Sequence, residues 1–289
     1  MRVALHHQTR YDYDRQVALG PQLIRLRPAA HTRTPILSYT LSIKPQEHYL
    51  HWMQDPYSNF MARLFFTNQT AHFEVVVDLI ADMTVINPFA FFIEPGTDSF
   101  PFEYDPWLKD ALQPYLATEP QTPLLTKLIE QLPKQADQTV QFLIDVNRVV
   151  SERVRYLVRM EAGVQTPEHT LEIGEGSCRD STWLLIQAFR HMGLAARFVS
   201  GYLIQLKAET KALVGTSGVE EDTTDLHAWA EVYIPGAGWI GLDPTSGRLT
   251  GEGHIPLAAT PSPMGAAPIT GSSEVADTTM HHEMTLTRV

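Results

Sequence analysis

Asp225-Leu226-His227-Ala228-Trp229-Ala230-Glu231-Val232-Tyr233-Ile234 is followed by Pro235-Gly236-Ala237-Gly238 and then by Trp239-Ile240-Gly241-Leu242-Asp243-Pro244-Thr245. Two runs of apolar and β-branched residues around a Pro/Gly turn read as a β-hairpin, with strands at Leu226–Ile234 and Trp239–Leu242. A three-residue loop, Pro235 to Ala237, pairs residues whose numbers sum to 472. His227 then faces position 245 and Asp243 faces Trp229. The histidine and the aspartate become diagonal neighbours on one face, roughly 7–8 Å apart at Cα. A four-residue loop without a bulge would set them on opposite faces. Pro244 biases Asp243 toward extended backbone and ends the strand.

Upstream of the hairpin, Gly174-Glu175-Gly176-Ser177 is a turn that leads into a helix from about Cys178 to Met192, ended by Gly193. Cys178, Thr182, Leu185, Phe189 and Met192 fall on one stripe of that helix, which predicts a central, buried element with the sulfur at its open end. A lone cysteine is ordinarily a small structural hydrophobe. A cysteine that opens a helix lies near unpaired backbone N–H groups and the positive end of the dipole, and both favour the thiolate. Between helix and hairpin lies a strand at Ala196–Leu206. Ahead of the helix, helical spacing appears at Trp107–Leu116, Leu124–Leu132 and Val140–Val154.

The first hundred residues have a different period. Val3, Leu5, His7, Thr9, Tyr11 and Tyr13 alternate with polar neighbours, as do Leu37, Tyr39, Leu41 and Ile43, and Phe73, Val75, Val77, Leu79 and Ala81. Alternation of period two with turn residues between predicts an antiparallel sandwich or barrel. The fold expected is therefore α+β. An N-terminal β-sandwich-like region with its linker spans 1–105, a helix-on-antiparallel-sheet core spans 106–260, and an irregular, Pro/Ala/Thr/Ser/Gly-rich tail or linker spans 261–289.

Composition narrows the function. The chain has 289 residues, and 22 basic against 33 acidic side chains give a net charge of −11. That balance argues against a nucleic-acid partner, which needs clustered Lys and Arg. Cys178 is the single cysteine, so intrachain disulfides and multi-cysteine metal sites are excluded. A reducing, cytoplasmic setting fits. The N-terminus lacks the apolar stretch of a signal peptide, and the longest apolar run is five residues, Phe89 to Ile93, so no membrane partner is expected.

Gly176-Ser177-Cys178-Arg179-Asp180, His227-Ala228-Trp229-Ala230-Glu231-Val232-Tyr233 and Gly238-Trp239-Ile240-Gly241-Leu242-Asp243-Pro244-Thr245 resemble the bacterial transglutaminase-like cysteine hydrolases. Gly201-Tyr202 also fits, and His6 to about Phe66 resembles the β-rich region that precedes this core. The resemblance implies a papain-like core in which Cys178 is the nucleophile, His227 holds its proton and Asp243 orients the histidine. A histidine partner can take a thiol pKa from about 8.5 to near 4. The backbone N–H of Cys178 is the first oxyanion donor and Tyr156 the candidate for the second. The implied reaction is hydrolysis of a peptide or isopeptide amide in a peptide or protein substrate, without cofactor or metal. Acyl transfer to an amine, or a non-enzymatic interaction module on the same fold, are the alternatives. Gly251-Glu252-Gly253-His254-Ile255-Pro256 resembles the variant found at the start of longer proteins, in which an amidoligase-like region follows, fused or associated.

Other residues have ordinary readings. Asp180 sits where an acid stabilises the helix dipole. Trp229 is a possible substrate contact, but packing is the common role for such a ring. His6-His7 and His281-His282 lack metal-ligand spacing, and the role of His254 is open. The acidic Lys207–Asp225 segment is expected to form a mobile rim of the cleft.

Overall fold

The computed structural model describes residues 1–207 and 219–289, so most of the segment expected to rim the cleft lies outside the described residues. The N-terminal part runs through β1 (Arg2–Val17), β2 (Gln22–Ile24), β3 (Ile36–Lys44), β4 (His48–Gln54), β5 (Phe60–Phe66) and β6 (Thr70–Asp82). These strands lie in two sheets. Alternate residues Val3, Leu5, Phe73, Val75, Val77 and Leu79 face Ile24, Ala62 and Leu64 in a common apolar core. Burying such side chains contributes roughly 1.5–3 kcal/mol each. The alternation fails at one predicted position. The register of β3 against β6 slips between Ile36 and Ser38, and this bulge turns Leu37 outward, leaving it 49% exposed.

Six helices follow among the described residues: α1 (Pro106–Ala111), α2 (Gln113–Leu116), α3 (Pro123–Gln131), α4 (Thr139–Arg153), α5 (Pro167–Ile173) and α6 (Cys178–His191). The helix expected at Trp107–Leu116 is two short pieces divided at Leu112, where Pro114 removes a backbone donor. Helix α5 carries no long apolar stripe. Its ends are set by Thr166, whose hydroxyl accepts the His169 N–H, and by Gly174 in the left-handed region at φ 66°. None of the described helices is long and apolar enough to cross a membrane.

Short strands β7 (Arg155–Tyr156) and β8 (Glu175–Gly176) pair in parallel just ahead of α6. The core sheet is antiparallel and is built from β9 (Ala196–Gln205), β10 (Thr223–Ile234), β11 (Gly238–Asp243), β12 (Arg248–Leu249) and β13 (His254–Thr260), in the order β12-β11-β10-β9-β13. Leu184, Leu185, Ala188 and Phe189 of α6 are wholly buried with Phe142, Val146, Ala230 and Val232, so α6 is the central helix that its stripe predicts. Aromatics of the Pro/Phe-rich connection are anchored to this core. Phe100 stacks on Phe142 at 4.0 Å, and the Tyr104 hydroxyl accepts from the Ala195 N–H and donates to the Tyr233 carbonyl.

The tail expected to be irregular over 261–289 is not. Strand β14 (Ile269–Thr270) pairs with β2, and β15 (Thr278–Arg288) pairs with β1 from Val3↔Arg288 to Tyr13↔Thr278. Turn-forming composition ends near Asp277. The Thr/Met/Leu-containing stretch beyond it has β-propensity and covers an edge of β1 that would otherwise present unpaired backbone groups. The C-terminus therefore completes the N-terminal sheets.

His7 joins the two parts of the molecule. It is buried, with Nδ1 2.8 Å from the Tyr202 hydroxyl on β9 and Nε2 2.9 Å from Thr9 Oγ1. Burial, assisted by the neighbouring His282 and His6, lowers its pKa to about 3. Between that value and the 6.5 of an unfolded histidine, the unfolded chain binds more protons, so stability falls as pH falls. The expected loss between pH 7 and pH 5 is about 2 kcal/mol from this residue. Urea unfolding of His7→Gln at both pH values should show a correspondingly smaller difference. An unchanged difference would show that His7 does not carry this proton linkage.

Candidate active site

Two elements converge on the site: the N-terminus of α6 and the β10–β11 hairpin. The hairpin has the register of a three-residue loop, with Ile234 opposite Gly238 and Ala230 opposite Leu242. His227 and Asp243 consequently meet, Nε2 to Oδ1 at 3.1 Å, although both are buried. Nδ1 is then the ring nitrogen left for Cys178. A hydrogen bond between the His227 ring and the Cys178 thiol links the first residue of α6 to the hairpin. Cys178 itself stays partly accessible at the helix end.

Asp243 is 2% exposed and well supplied with donors. Oδ1 accepts the Thr245 N–H at 2.9 Å, and Oδ2 accepts the Ser246 hydroxyl at 2.9 Å. Burial alone would raise the carboxyl pKa. The hydrogen bond and charge of His227, with the His254 ring 3.5 Å from the other oxygen, hold it well below the usual carboxylate range. For His227, burial alone would lower the imidazolium, yet hydrogen bonds and charge from Asp243 and Cys178 raise it to about 10. The ring therefore stays protonated at neutral pH. Asn147 of α4 fixes the backbone beneath, its amide donating to the Asp243 and Arg248 carbonyls at 3.2 Å each.

Tyr156 lies on β7 opposite Gly176, two residues before Cys178, and is 48% exposed. Burial of its ring pushes the phenol up, with charge from Cys178, Asp225 and Asp243 adding to the effect. Trp229 is 1% exposed and lies along His227, ring centres 6.5 Å apart at 28°. It also walls a cavity of about 200 Å³ lined in part by His31, Glu231 and His254, and not by Cys178, His227 or Asp243. His254 is the residue whose place was open in the sequence: its Nε2 is 3.5 Å from Asp243 Oδ2. Among the described residues, His227, Asp243 and His254 bring ligand atoms within 4.8 Å of one another. A metal ion could use that set only by replacing the His227–Asp243 hydrogen bond.

Asp180 does more than balance a dipole. It is fully buried, and it accepts the Ser177 N–H at 2.8 Å and the Gln165 N–H at 2.7 Å. Arg159 clamps it with two bonds, Nε to Oδ2 at 3.0 Å and a terminal nitrogen to Oδ1 at 2.9 Å. Burial would raise this carboxyl, and these donors instead hold it below its ordinary value. The pair ties the 157–165 segment to the first turn of α6. Arg159→Met leaves a buried carboxylate without its cation, an expected loss of about 3–5 kcal/mol in urea unfolding. Adding Asp180→Asn should restore part of that loss, and a single variant as stable as the parent would contradict the account.

Comparison with known proteins agrees with this architecture. Residues 3–82 match the bacterial transglutaminase-like N-terminal region, and residues 126–244 match the transglutaminase-like superfamily. An uncharacterised protein of Mycobacterium bovis is 25% identical over 263 residues, covering 88% of this chain and 82% of that protein. An uncharacterised protein of Mycobacterium tuberculosis matches to the same extent. A solved structure of a candidate cysteine protease from Cytophaga hutchinsonii superposes with a TM-score of 0.70 at 20% identity, over 100% of this chain and 91% of that one. At that identity the likeness is one of fold. The chain is thus similar to a bacterial transglutaminase-like N-terminal region over 3–82 and to the transglutaminase-like superfamily over 126–244, on a shared fold.

Proposed function

We propose that the protein is a thiol hydrolase of peptide or isopeptide amides, acting through an acyl-enzyme on Cys178. The observation that carries this reading is the position of His227. Its ring is held between Cys178 and a buried Asp243, and it is kept charged at neutral pH.

Attack of the Cys178 thiolate on the amide carbonyl carbon forms the C–S bond and moves the carbonyl electron pair onto oxygen. The Cys178 N–H, in a helical position without an intrahelical acceptor, and the Tyr156 hydroxyl receive that oxyanion. Collapse of the intermediate breaks the C–N bond, and His227 gives its Nδ1 proton to the departing amine. Neutral His227 then takes a proton from water as the oxygen attacks the thioester, which releases the acid and restores the ion pair. Asp243 accepts the Nε2–H of His227 throughout, fixing its tautomer and stabilising its charge. A single thiol used in this way suits a reducing cytoplasm.

Iodoacetamide labelling of Cys178 from pH 4 to 10 tests the pair. Fast labelling that persists well below pH 7 is expected in the parent and should be lost in His227→Ala. Asp243→Asn should slow labelling at pH 6 on the order of a hundredfold or more. Slow labelling that rises only near pH 8.5, and is indifferent to both changes, would overturn the reading. With peptide substrates, turnover should vanish in Cys178→Ala. Tyr156→Phe should reduce turnover roughly 10²-fold with labelling little changed. Acid release should be unaffected by added primary amine, whereas accumulation of an amine conjugate would assign the chemistry to transfer.

A further inference from the structure

We infer that His254 is a positioning residue for the catalytic pair, a fourth member that fixes the Asp243 carboxylate so that it faces His227. The inference rests on the thiol-hydrolase reading above and adds to it a residue outside the Cys–His–Asp set.

The two carboxylate oxygens are divided between two histidines. Oδ1 takes His227 Nε2 at 3.1 Å, and Oδ2 has His254 Nε2 at 3.5 Å. The tautomer of His254 follows from its other nitrogen. The Gly251 N–H donates to Nδ1 at 3.3 Å, so Nδ1 carries the lone pair and Nε2 carries the hydrogen. That Nε2 is buried and completes no hydrogen bond among the described residues, and the Asp243 carboxylate at 3.5 Å is the acceptor it approaches. An unshared N–H at this depth is costly, and direction toward Asp243 is what offsets the cost.

Ring packing holds His254 there. Its imidazole stands edge-on to Trp229, centres 5.2 Å apart at 87°, while Trp229 lies along His227. The arrangement spans the sheet, since His254 belongs to β13 and Asp243 to β11, with β9 and β10 between. Gly201 on β9, opposite His227, makes the crossing possible: a Cβ there would come within 2.3 Å of both the Trp229 ring and the Ile255 carbonyl. Gly253 is equally constrained, because its Cβ would meet the Ile204 carbonyl at 2.2 Å. These two glycines bring β13 close enough for His254 to reach Asp243.

Replacement by Leu, Asn and Gln separates positioning from bulk. Leu fills the space without a donor, and only Gln carries its amide nitrogen about as far out as Nε2. Measured on the full chain, iodoacetamide labelling of His254→Leu at pH 6.5 should fall about tenfold, with its acid limb moved to higher pH and its thermal midpoint changed by only a few degrees. His254→Gln should recover most of the rate and His254→Asn much less. If Leu destabilises the fold, the comparison of Gln with Asn at matched stability decides instead. Equal rates and pH profiles in the parent, Gln, Asn and any folded Leu variant would overturn the inference. Failure of the underlying reading looks different: the parent itself would label no faster than a free thiol, and His227→Ala would change nothing.

Discussion

A carboxylate at 2% exposure has to be answered by donors, and the surroundings of Asp243 are organised by that requirement. Four groups converge on its oxygens: the Thr245 N–H, the Ser246 hydroxyl and the rings of His227 and His254. Burying an ion pair is not in itself stabilising, since desolvation can exceed the Coulombic gain. What the burial secures is a fixed charge in a place of low dielectric, where its effect on His227 is large. The same logic operates at the start of α6, where Asp180 and Arg159 form a second buried pair that sets the entry to that helix. One buried carboxylate holds His227 and the other holds the helix that begins at Cys178. Both act by fixing backbone geometry as well as charge.

Much of this was legible because it is local. The Pro235–Gly238 turn and the alternation on either side determine a register, and the register brings His227 to Asp243. Cys178 announces itself through the glycine turn and the stripe of α6. The N-terminal alternation in β1 and β6 is equally direct. Features that depend on distant pairing were not legible. His254 reaches Asp243 only because β13 lies against β9, and nothing near residue 254 encodes that contact. Strand β15 was hidden by the Pro/Gly/Ser-rich stretch before it, although its partner β1 lies some 270 residues away and needed an edge covered. Leu37 followed the period in sequence but sits at a bulge, and one extra residue reverses a strand's faces. Asp180 read as a dipole partner since Arg159 is on a segment with no periodic signal.

The N-terminal region has a physical connection to the site, and it runs through the segment that carries His254. Ala29 donates its N–H to the Pro256 carbonyl at 2.7 Å, and the Thr34 hydroxyl donates to the Glu252 carbonyl at 2.7 Å. The Ile86 N–H reaches the Glu252 carboxylate at 3.1 Å. Asn59 grips Ala259 from both sides, accepting its N–H at 2.8 Å and donating to its carbonyl at 3.0 Å. Residues 252–259 are thus held along their length by loops and strand ends of the β-rich region. Apolar packing adds to this, because Ile255 and Leu257 lie in the same cluster as Val3, Leu5 and Phe73, while Ala258 belongs to the cluster around α6. Strand β13 is therefore shared between the two cores. A rigid second layer is what a catalytic constellation needs if its members are to stay within a fraction of an ångström of productive geometry. Under the function proposed above, the N-terminal region would act on the chemistry without touching it: it fixes β13, β13 presents His254, and His254 lies against the carboxylate that meets His227.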